Sequence, residues 1–330
     1  MTLTPEQDLI NVRDGRDISP FDLYSVDQLS LTDLGVIFEI ARKFREYKTY
    51  KFNLSKGNTQ INCFFENSTR TLASFDLAAK HLSMDTTSVG GSSSVKKGES
   101  YLDTAQTLDA YNSKIIVVRS TQAGVAQMLS RHTGASILNA GDGWHEHPTQ
   151  GLLDILTILD HCESEDLKGK TVTIVGDIMH SRVFGSLVRL LKQLSATVRV
   201  ACPMTLWPEK VEQFGVEMYS DVEKALTGVD IVYALRMQEE RGATGFIPSL
   251  REYSKMYGIS KKRLSLAAKD AILLHPGPVI RDIDIHSALS AVDDQSHILK
   301  QVENGLAIRK TLIWLFTERM DGKTKTFTRK

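Results

Sequence analysis

The chain is poor in cysteine. It has three in 330 residues, Cys63, Cys162 and Cys202, far apart and with no C-x-x-C pair. That excludes a disulfide framework and a zinc knuckle, and fits a reducing compartment. No apolar run reaches the length that spans a bilayer, and Met1–Ile10 has neither a basic n-region nor an apolar h-region. A cytoplasmic location is expected. There is no excess of either charge: 40 Lys and Arg balance 40 Asp and Glu, which argues against a general nucleic-acid or membrane-surface binder. The G-x-G-x-x-G fingerprint is missing, which weakens any dinucleotide reading. No strong internal repeat is visible, and only Gly90-Gly91-Ser92-Ser93-Ser94 is of low complexity, reading as a mobile loop.

What is present is a regular alternation. Strand-like apolar runs lie at Ile61–Phe65, Ile115–Val118, Ser136–Leu138, Val172–Val175, Val198–Cys202, Val216–Tyr219, Ile231–Ala234 and Ala271–Leu274. Helical patterns separate most of them, as in Val183, Leu187, Leu190, Leu191 and Leu194. Alternating β and α predicts two doubly wound α/β domains, each a parallel sheet covered by helices. Each half should hold about four strands. A polar break at Cys162–Lys170 separates the halves, after a helix expected over Thr149–His161. A last helix, Asn304–Glu318, is free by its pattern to pack on either half. In such folds the loops at the strand carboxyl ends carry the chemistry.

Those loops are rich in anion-binding groups. Ser68-Thr69-Arg70-Thr71 joins a strand to a helix with the apolar face Leu72, Phe75, Ala79 and Leu82. Free N–H groups, the positive helix end, hydroxyls and a guanidinium make a phosphate site there; the same tetrapeptide also reads as an ordinary N-cap with a solvated Arg. Arg119 follows a strand and points into the crevice, or into solvent. His145-Glu146-His147 invites a metal reading, but no third ligand is evident, and His147 reads better as a hydrogen-bond donor. Pro148 opens the next helix and Gln150 should share its pocket. Lys97 brings an ammonium on a flexible arm. Gly176-Asp177 leads to Arg182, which suits a carboxylate, and Arg236-Met237-Gln238 is a further strand-end basic site. His275-Pro276-Gly277-Pro278 fixes a rigid turn in which Gly277 lets a carbonyl approach a ligand. Basic groups gathered in a neutral protein predict two small anionic ligands.

The ordered set closely resembles the aspartate carbamoyltransferases, within the aspartate/ornithine carbamoyltransferase superfamily. It comprises Phe65-Glu66-Asn67-Ser68-Thr69-Arg70-Thr71, Lys97-Gly98-Glu99, His147-Pro148-Thr149-Gln150, Gly176-Asp177 with Arg182, Arg236-Met237-Gln238 and His275-Pro276-Gly277-Pro278. The resemblance implies transfer of the carbamoyl group of carbamoyl phosphate to L-aspartate, giving N-carbamoyl-L-aspartate and phosphate in pyrimidine biosynthesis. It implies a carbamoyl phosphate domain over 1–150, with a helix at 303–330 packing back on it, an aspartate domain over 151–302, and an active site in the cleft between them. Ser68, Thr69, Arg70, Thr71 and Arg119 would cradle the phosphate. Thr71, Arg119 and His147 would meet the carbamoyl oxygen, Gln150 its amino group, and Gly277 and Pro278 the amide and incoming amine. Arg182, Arg236 and Gln238 would bind aspartate. Ser93 and Lys97 would come from a neighbouring subunit, Lys97 serving both catalysis and aspartate binding, which makes a homotrimer. Regulatory or dihydroorotase-type partner chains fit the resemblance; a cofactor, a metal, nucleic acid or a membrane does not enter it.

Two positions depart from the pattern. Leu72 replaces a frequent second Arg, and Ile280 replaces a usual Asn before Arg281, removing a polar group from that loop. An ornithine-type enzyme is the nearest alternative. It usually carries Cys where Thr149 and Gly277 stand, but Asp282 and Asp284 offer the acids that a cationic substrate wants. A non-catalytic assembly partner is the other, disfavoured because Arg70, Thr71, Arg119, His147 and Gln150 are all present.

Overall fold

The computed structural model describes residues 3–90, 100–239, 242–289 and 293–322. The chain divides into two compact units, Met1–Thr149 with Glu303–Lys330, and Gln150–Val302.

The first unit is built on four parallel strands, β1 (Thr59–Phe64), β2 (Asp85–Gly90), β3 (Ile115–Ser120) and β4 (Ser136–Asp142), in the order β2-β1-β3-β4. Its helices are α1 (Pro5–Arg13), α2 (Leu31–Glu46), α3 (Thr69–His81), α4 (Tyr101–Asp109) and α5 (Val125–Ser130). Three of them start alike. Thr4, Ser30 and Ser100 each cap a helix and are capped in return by Gln7, Asp33 and Asp103. On one face of the sheet, Ile61, Cys63, Ile116, Val118 and Ile137 pack with Ala105 and Leu108 of α4 and Val125, Ala126 and Leu129 of α5. Helices cover both faces, so β3 is apolar on both over Ile115–Val118, while β1 buries Gln60 and Asn62 on its second face, where Gln60 Nε2 donates to Asn62 Oδ1 at 2.9 Å.

A long helix, α6 (Pro148–Cys162), leaves this unit, and the last helix, α11 (Ile298–Gly322), returns to it. Trp314 of α11 meets Phe44 of α2 edge-on at 6.0 Å, and Phe44 meets Phe52 at 5.1 Å. Lys310, on the same face of α11, is 2% exposed. Its Nζ donates to the Phe44 carbonyl at 3.3 Å and lies 5.1 Å from the Phe44 ring centre. Burial pulls its pKa down to about 8.

The second unit holds β5 (Thr171–Val175), β6 (Thr197–Ala201), β7 (Glu217–Tyr219), β8 (Ile231–Ala234) and β9 (Ile272–Leu274), all parallel, in the order β7-β6-β5-β8-β9. The helices between are α7 (Arg182–Gln193), α8 (Val222–Leu226), α9 (Leu250–Tyr257) and α10 (Lys261–Leu264). In α7 the stripe Val183, Leu187, Leu190 and Leu191 is buried as its period predicts, and Val188 and Phe184 are buried beside it.

The pattern misses β2. Asp85-Thr86-Thr87-Ser88-Val89-Gly90 is polar because, among the described residues, it is an edge strand paired with β1 alone and largely exposed. The terminal helix begins at Ile298, earlier than Asn304. Leu72 is only half-buried; the apolar face of α3 is carried by Phe75, Ala78 and Ala79. Among the described residues, no helix is long and apolar enough to cross a membrane.

Candidate active site

Each sheet has one place where the connections from neighbouring strands leave in opposite directions. In the first sheet it lies between β1, which leads to β2, and β3, which leads to β4. A crevice opens at such a point beyond the strand carboxyl ends. The loop after β1 is Phe65–Ser68, and α3 begins at Thr69. Ser68 stands at the N-cap in extended conformation but makes no side-chain cap bond. Its hydroxyl pairs with the Thr71 hydroxyl at 2.9 Å instead. The first-turn N–H groups of α3 are thus left to an acceptor other than Ser68 Oγ, and no acid stands in that turn. Thr69 and Arg70 are exposed there.

Across the crevice stands Arg119, inside β3 rather than after it, opposite Phe64 in register. Its carbonyl accepts the Phe65 N–H at 2.8 Å, which ties it to the loop before Ser68. Its guanidinium donates to the Ala140 carbonyl at 3.0 Å and lies 3.4 Å from Glu66 Oε1. With 12% of its side chain exposed, Arg119 is a held donor and not a solvated strand-end Arg.

The His-Glu-His segment is structural up to its last member. Glu146 accepts from Ser25 Oγ at 2.5 Å and Val26 N at 3.0 Å, and His145 Nδ1 lies 3.2 Å from Asp142. Asp142 also accepts from Gly124 N and Asn139 Nδ2, at 2.8 and 2.9 Å. Among the described residues no group of His, Cys, Asp and Glu is arranged to hold a metal ion. His147 is buried and sits one residue before α6.

In the second sheet the corresponding place lies between β5 and β8. The loop after β5 starts at Gly176, with φ +137° and a virtual Cβ 2.8 Å from the Leu235 carbonyl, so a side chain would force β5 and β8 apart. Asp177, wholly buried, takes His180 Nδ1 at 2.9 Å and the Gln238 N–H at 3.3 Å. Burial pushes its carboxyl pKa up, against the His180 hydrogen bonds that favour the charged form. One carboxylate therefore links the loop after β5 to the loop after β8. Arg182 opens α7 and is buried, and Ser181 caps that helix through Phe184 N at 3.3 Å. Arg236 is half-buried beyond β8, and its carbonyl accepts Gln238 Nε2 at 3.2 Å.

The turn after β9 is fixed from within. Gly277 has φ +64° and the Gly277–Pro278 peptide is cis. The Gly277 N–H donates to His275 Nδ1 at 2.8 Å. Nδ1 is thus an acceptor, so the ring proton sits on Nε2, which faces Asp284 Oδ2 at 3.1 Å. Asp284 also accepts the Ile280 N–H at 2.9 Å and the Met237 N–H at 3.0 Å. Asp284 is therefore a buried anchor and not a pocket acid. Asp282 is likewise engaged, by Ser287 N at 2.8 Å and Ser287 Oγ at 2.7 Å. The bonds at 280 run through its backbone, which also accepts from Asp284 N at 3.0 Å, and these need no polar side chain at Ile280. Gln150 gives its amide to Asp154 Oδ1 at 2.9 Å.

In unit one, then, Ser68, Thr69, Arg70, Thr71 and Arg119 gather at one crevice, and in unit two Arg182, Arg236 and Gln238 gather at the other. Ser93 and Lys97 lie outside the described residues. Glu66 and Asp177 were not among the expected ligands, and Asp284 entered only as an acid for the alternative, cationic substrate. Only Asp177, next to a strand-end glycine, carried a local signal.

Comparison with known proteins agrees with this geometry. Residues 22–160 match the aspartate/ornithine carbamoyltransferase carbamoyl-P binding domain, and residues 168–316 match the Asp/Orn binding domain. The chain belongs to the aspartate/ornithine carbamoyltransferase family. It is 45% identical over 300 residues to the aspartate carbamoyltransferase catalytic subunit of Desulforamulus reducens, covering 90% of this chain and 95% of the relative. It is 42% identical over 308 residues to that of Acetivibrio thermocellus, covering 92% and 97%. Among solved structures it is similar to Trypanosoma cruzi aspartate transcarbamoylase in complex with carbamoyl phosphate, with TM-score 0.79 and 28% identity over 89% of this chain and 95% of that one. Ornithine carbamoyltransferase from Thermus thermophilus shares the fold, with TM-score 0.80 and 22% identity over 90% and 99%.

Proposed function

We propose that this chain carbamoylates L-aspartate with carbamoyl phosphate, releasing N-carbamoyl-L-aspartate and phosphate. The observation that carries the reading is the placement of basic groups at both sheet crevices: Arg70 and Arg119 at the first, Arg182 and Arg236 at the second. The relatives' names support aspartate as acceptor. So does the engagement of Asp282 and Asp284 by their own loop, which deprives an ornithine ammonium of two acidic partners.

Ser68, Thr69, Arg70, Thr71 and Arg119 hold the phosphate of carbamoyl phosphate on the N-terminus of α3. Thr71, Arg119 and His147 donate to the carbamoyl oxygen. Gln150 and the Gly277-Pro278 carbonyls take its amino group. Arg182, Arg236 and Gln238, with Lys97, hold the aspartate carboxylates. The amine attacks the carbonyl carbon directly, and the oxygen gains negative charge. Donors fixed in advance around it stabilise that charge, at roughly 3–4 kcal/mol for each one lost. Clamping two anions in register supplies much of the rest. No covalent enzyme intermediate is needed, and the departing phosphate accepts the amine proton. We also propose a cytoplasmic homotrimer in which Ser93 and Lys97 complete the neighbour's site.

Phosphate release from carbamoyl phosphate, with L-aspartate or L-ornithine as acceptor, tests the reading. Release with aspartate alone supports it. Release with ornithine alone overturns the assignments of Arg182, Arg236 and Gln238. No release with either favours a non-catalytic chain.

A further inference from the structure

Gln150, Asp154, Tyr233, Gln301 and His275 form one buried hydrogen-bonded chain in the second unit. Asp154 Oδ1 accepts Gln150 Nε2 at 2.9 Å and Gln301 Nε2 at 2.7 Å. Asp154 Oδ2 accepts the Tyr233 hydroxyl at 2.7 Å. Gln301 Oε1 accepts the His275 N–H at 2.9 Å, and His275 Nδ1 accepts the Gly277 N–H at 2.8 Å. Asp154 and Tyr233 have no exposure, and Gln150 is the most exposed member at 8%.

The donor directions in this chain are not free. The His275 N–H can only donate, so Gln301 must turn its oxygen to it and its NH2 to Asp154. Asp154 Oδ1 is therefore an acceptor. Gln150, on the same oxygen, must present its NH2 to Asp154 and keep Oε1 for another partner. Flipping the Gln150 amide would set two oxygens against each other at 2.9 Å. A buried carboxylate thus fixes two acceptors at once: Gln150 Oε1 directly, and the Gly277-Pro278 carbonyls through Gln301 and His275.

We propose that Asp154 is a positioning residue for substrate selection: its network aims acceptors at the amino group of carbamoyl phosphate and so separates a carbamoyl from an acyl phosphate. This rests on the function proposed above. Acetyl phosphate offers the same phosphate and carbonyl oxygen with a methyl group of similar size in place of NH2. Only acceptors aimed at that position distinguish the two.

The test compares the KM for carbamoyl phosphate at saturating aspartate with the inhibition constant of acetyl phosphate. Asp154→Asn keeps the shape, but its one oxygen cannot serve three donors. The expected result is a rise of about tenfold or more in KM with the acetyl phosphate constant moving less than about twofold, in line with one misaimed hydrogen bond. Gln301→Met leaves Gln150 on Asp154 and cuts only the path to His275, so it should give a smaller loss of the same sign; it carries the test if Asp154→Asn does not fold. Tyr233→Phe leaves both glutamine bonds to Asp154 in place but removes a hydroxyl that also borders Gln150 and Gln301, so it should cost less selectivity than Asp154→Asn. Parallel shifts in the two constants, no shift in either, or an equal loss in Tyr233→Phe would each overturn the proposal. A wild-type chain that releases no phosphate with aspartate overturns the activity itself and this inference with it, whereas an active wild type with unselective variants overturns only the role of Asp154.

Discussion

His275 and Asp284 meet nitrogen to oxygen at 3.1 Å with neither side chain exposed. The carboxylate that fixes the ring tautomer also holds the amides of Met237 and Ile280. Replacing Asp284 with Ala leaves three donors without their acceptor, those of His275 and Met237 buried and that of Ile280 part-buried. Urea unfolding should show a loss of about 2–4 kcal/mol, and the KM for aspartate should rise because the turns that carry Arg236 and Gly277 lose their common anchor. Unchanged stability would mean that the three donors find other acceptors.

Arg70 and Arg119 should fail in different ways. Arg70 is exposed, so Arg70→Ala should leave the melting temperature within about 2 °C while weakening carbamoyl phosphate strongly. Arg119 is held by Ala140 and Glu66, aimed in advance. Arg119→Ala should lower kcat by about 10²–10³, the usual cost of an oxyanion donor. A pure KM effect in Arg119→Ala would assign it to ground-state binding alone.

Lys310 makes stability depend on pH. Its folded pKa, about 8, lies below the ordinary 10.5 of the unfolded chain. Between these values the unfolded chain keeps a proton that the folded one has released, so stability rises with pH across that window. The full rise is about 3 kcal/mol, since each tenfold change in proton affinity corresponds to roughly 1.4 kcal/mol. Lys310→Met should flatten the urea-derived stability from pH 8 to 10 and raise it at pH 7. A slope that survives the substitution would assign the titration elsewhere.

Sharing of sites between subunits has a direct readout. Inactive Arg70→Ala and Lys97→Ala chains, dissociated and mixed, should recover a fraction of wild-type phosphate release, because some sites then draw both native residues from different chains. Lack of recovery in mixtures that reassociate would place Lys97 in its own subunit's site.

Much of this was legible because most of the central strands carry apolar runs and are separated by helical stripes. Ile115–Val118 and Ile231–Ala234 can be read from composition alone. The β2 strand could not, since Asp85–Gly90 buries almost nothing. The ligand-facing basic residues were visible by their position at strand ends. The buried acids that tie the loops together were not: Asp284 is distant in sequence from Met237, and Asp154 from Tyr233 and Gln301, so their roles exist only after folding. For that reason the sequence offers Asp284 only as an acid for the alternative substrate and does not show it as an anchor. Burial with three donors is a tertiary property that no spacing announces.

The second unit is inserted in sequence between two parts of the first. A ribosome therefore finishes residues 150–302 before it delivers the helix that brings Trp314 to Phe44. At roughly 5–20 residues per second, the Phe44 face waits on the order of ten seconds or more for its cover. The inserted unit has its whole sheet in hand by then, from Thr171 to Leu274. Nascent chains should thus acquire their parts out of written order, with the middle completed before the beginning, and the exposed Phe44 face is where a holding chaperone would find them.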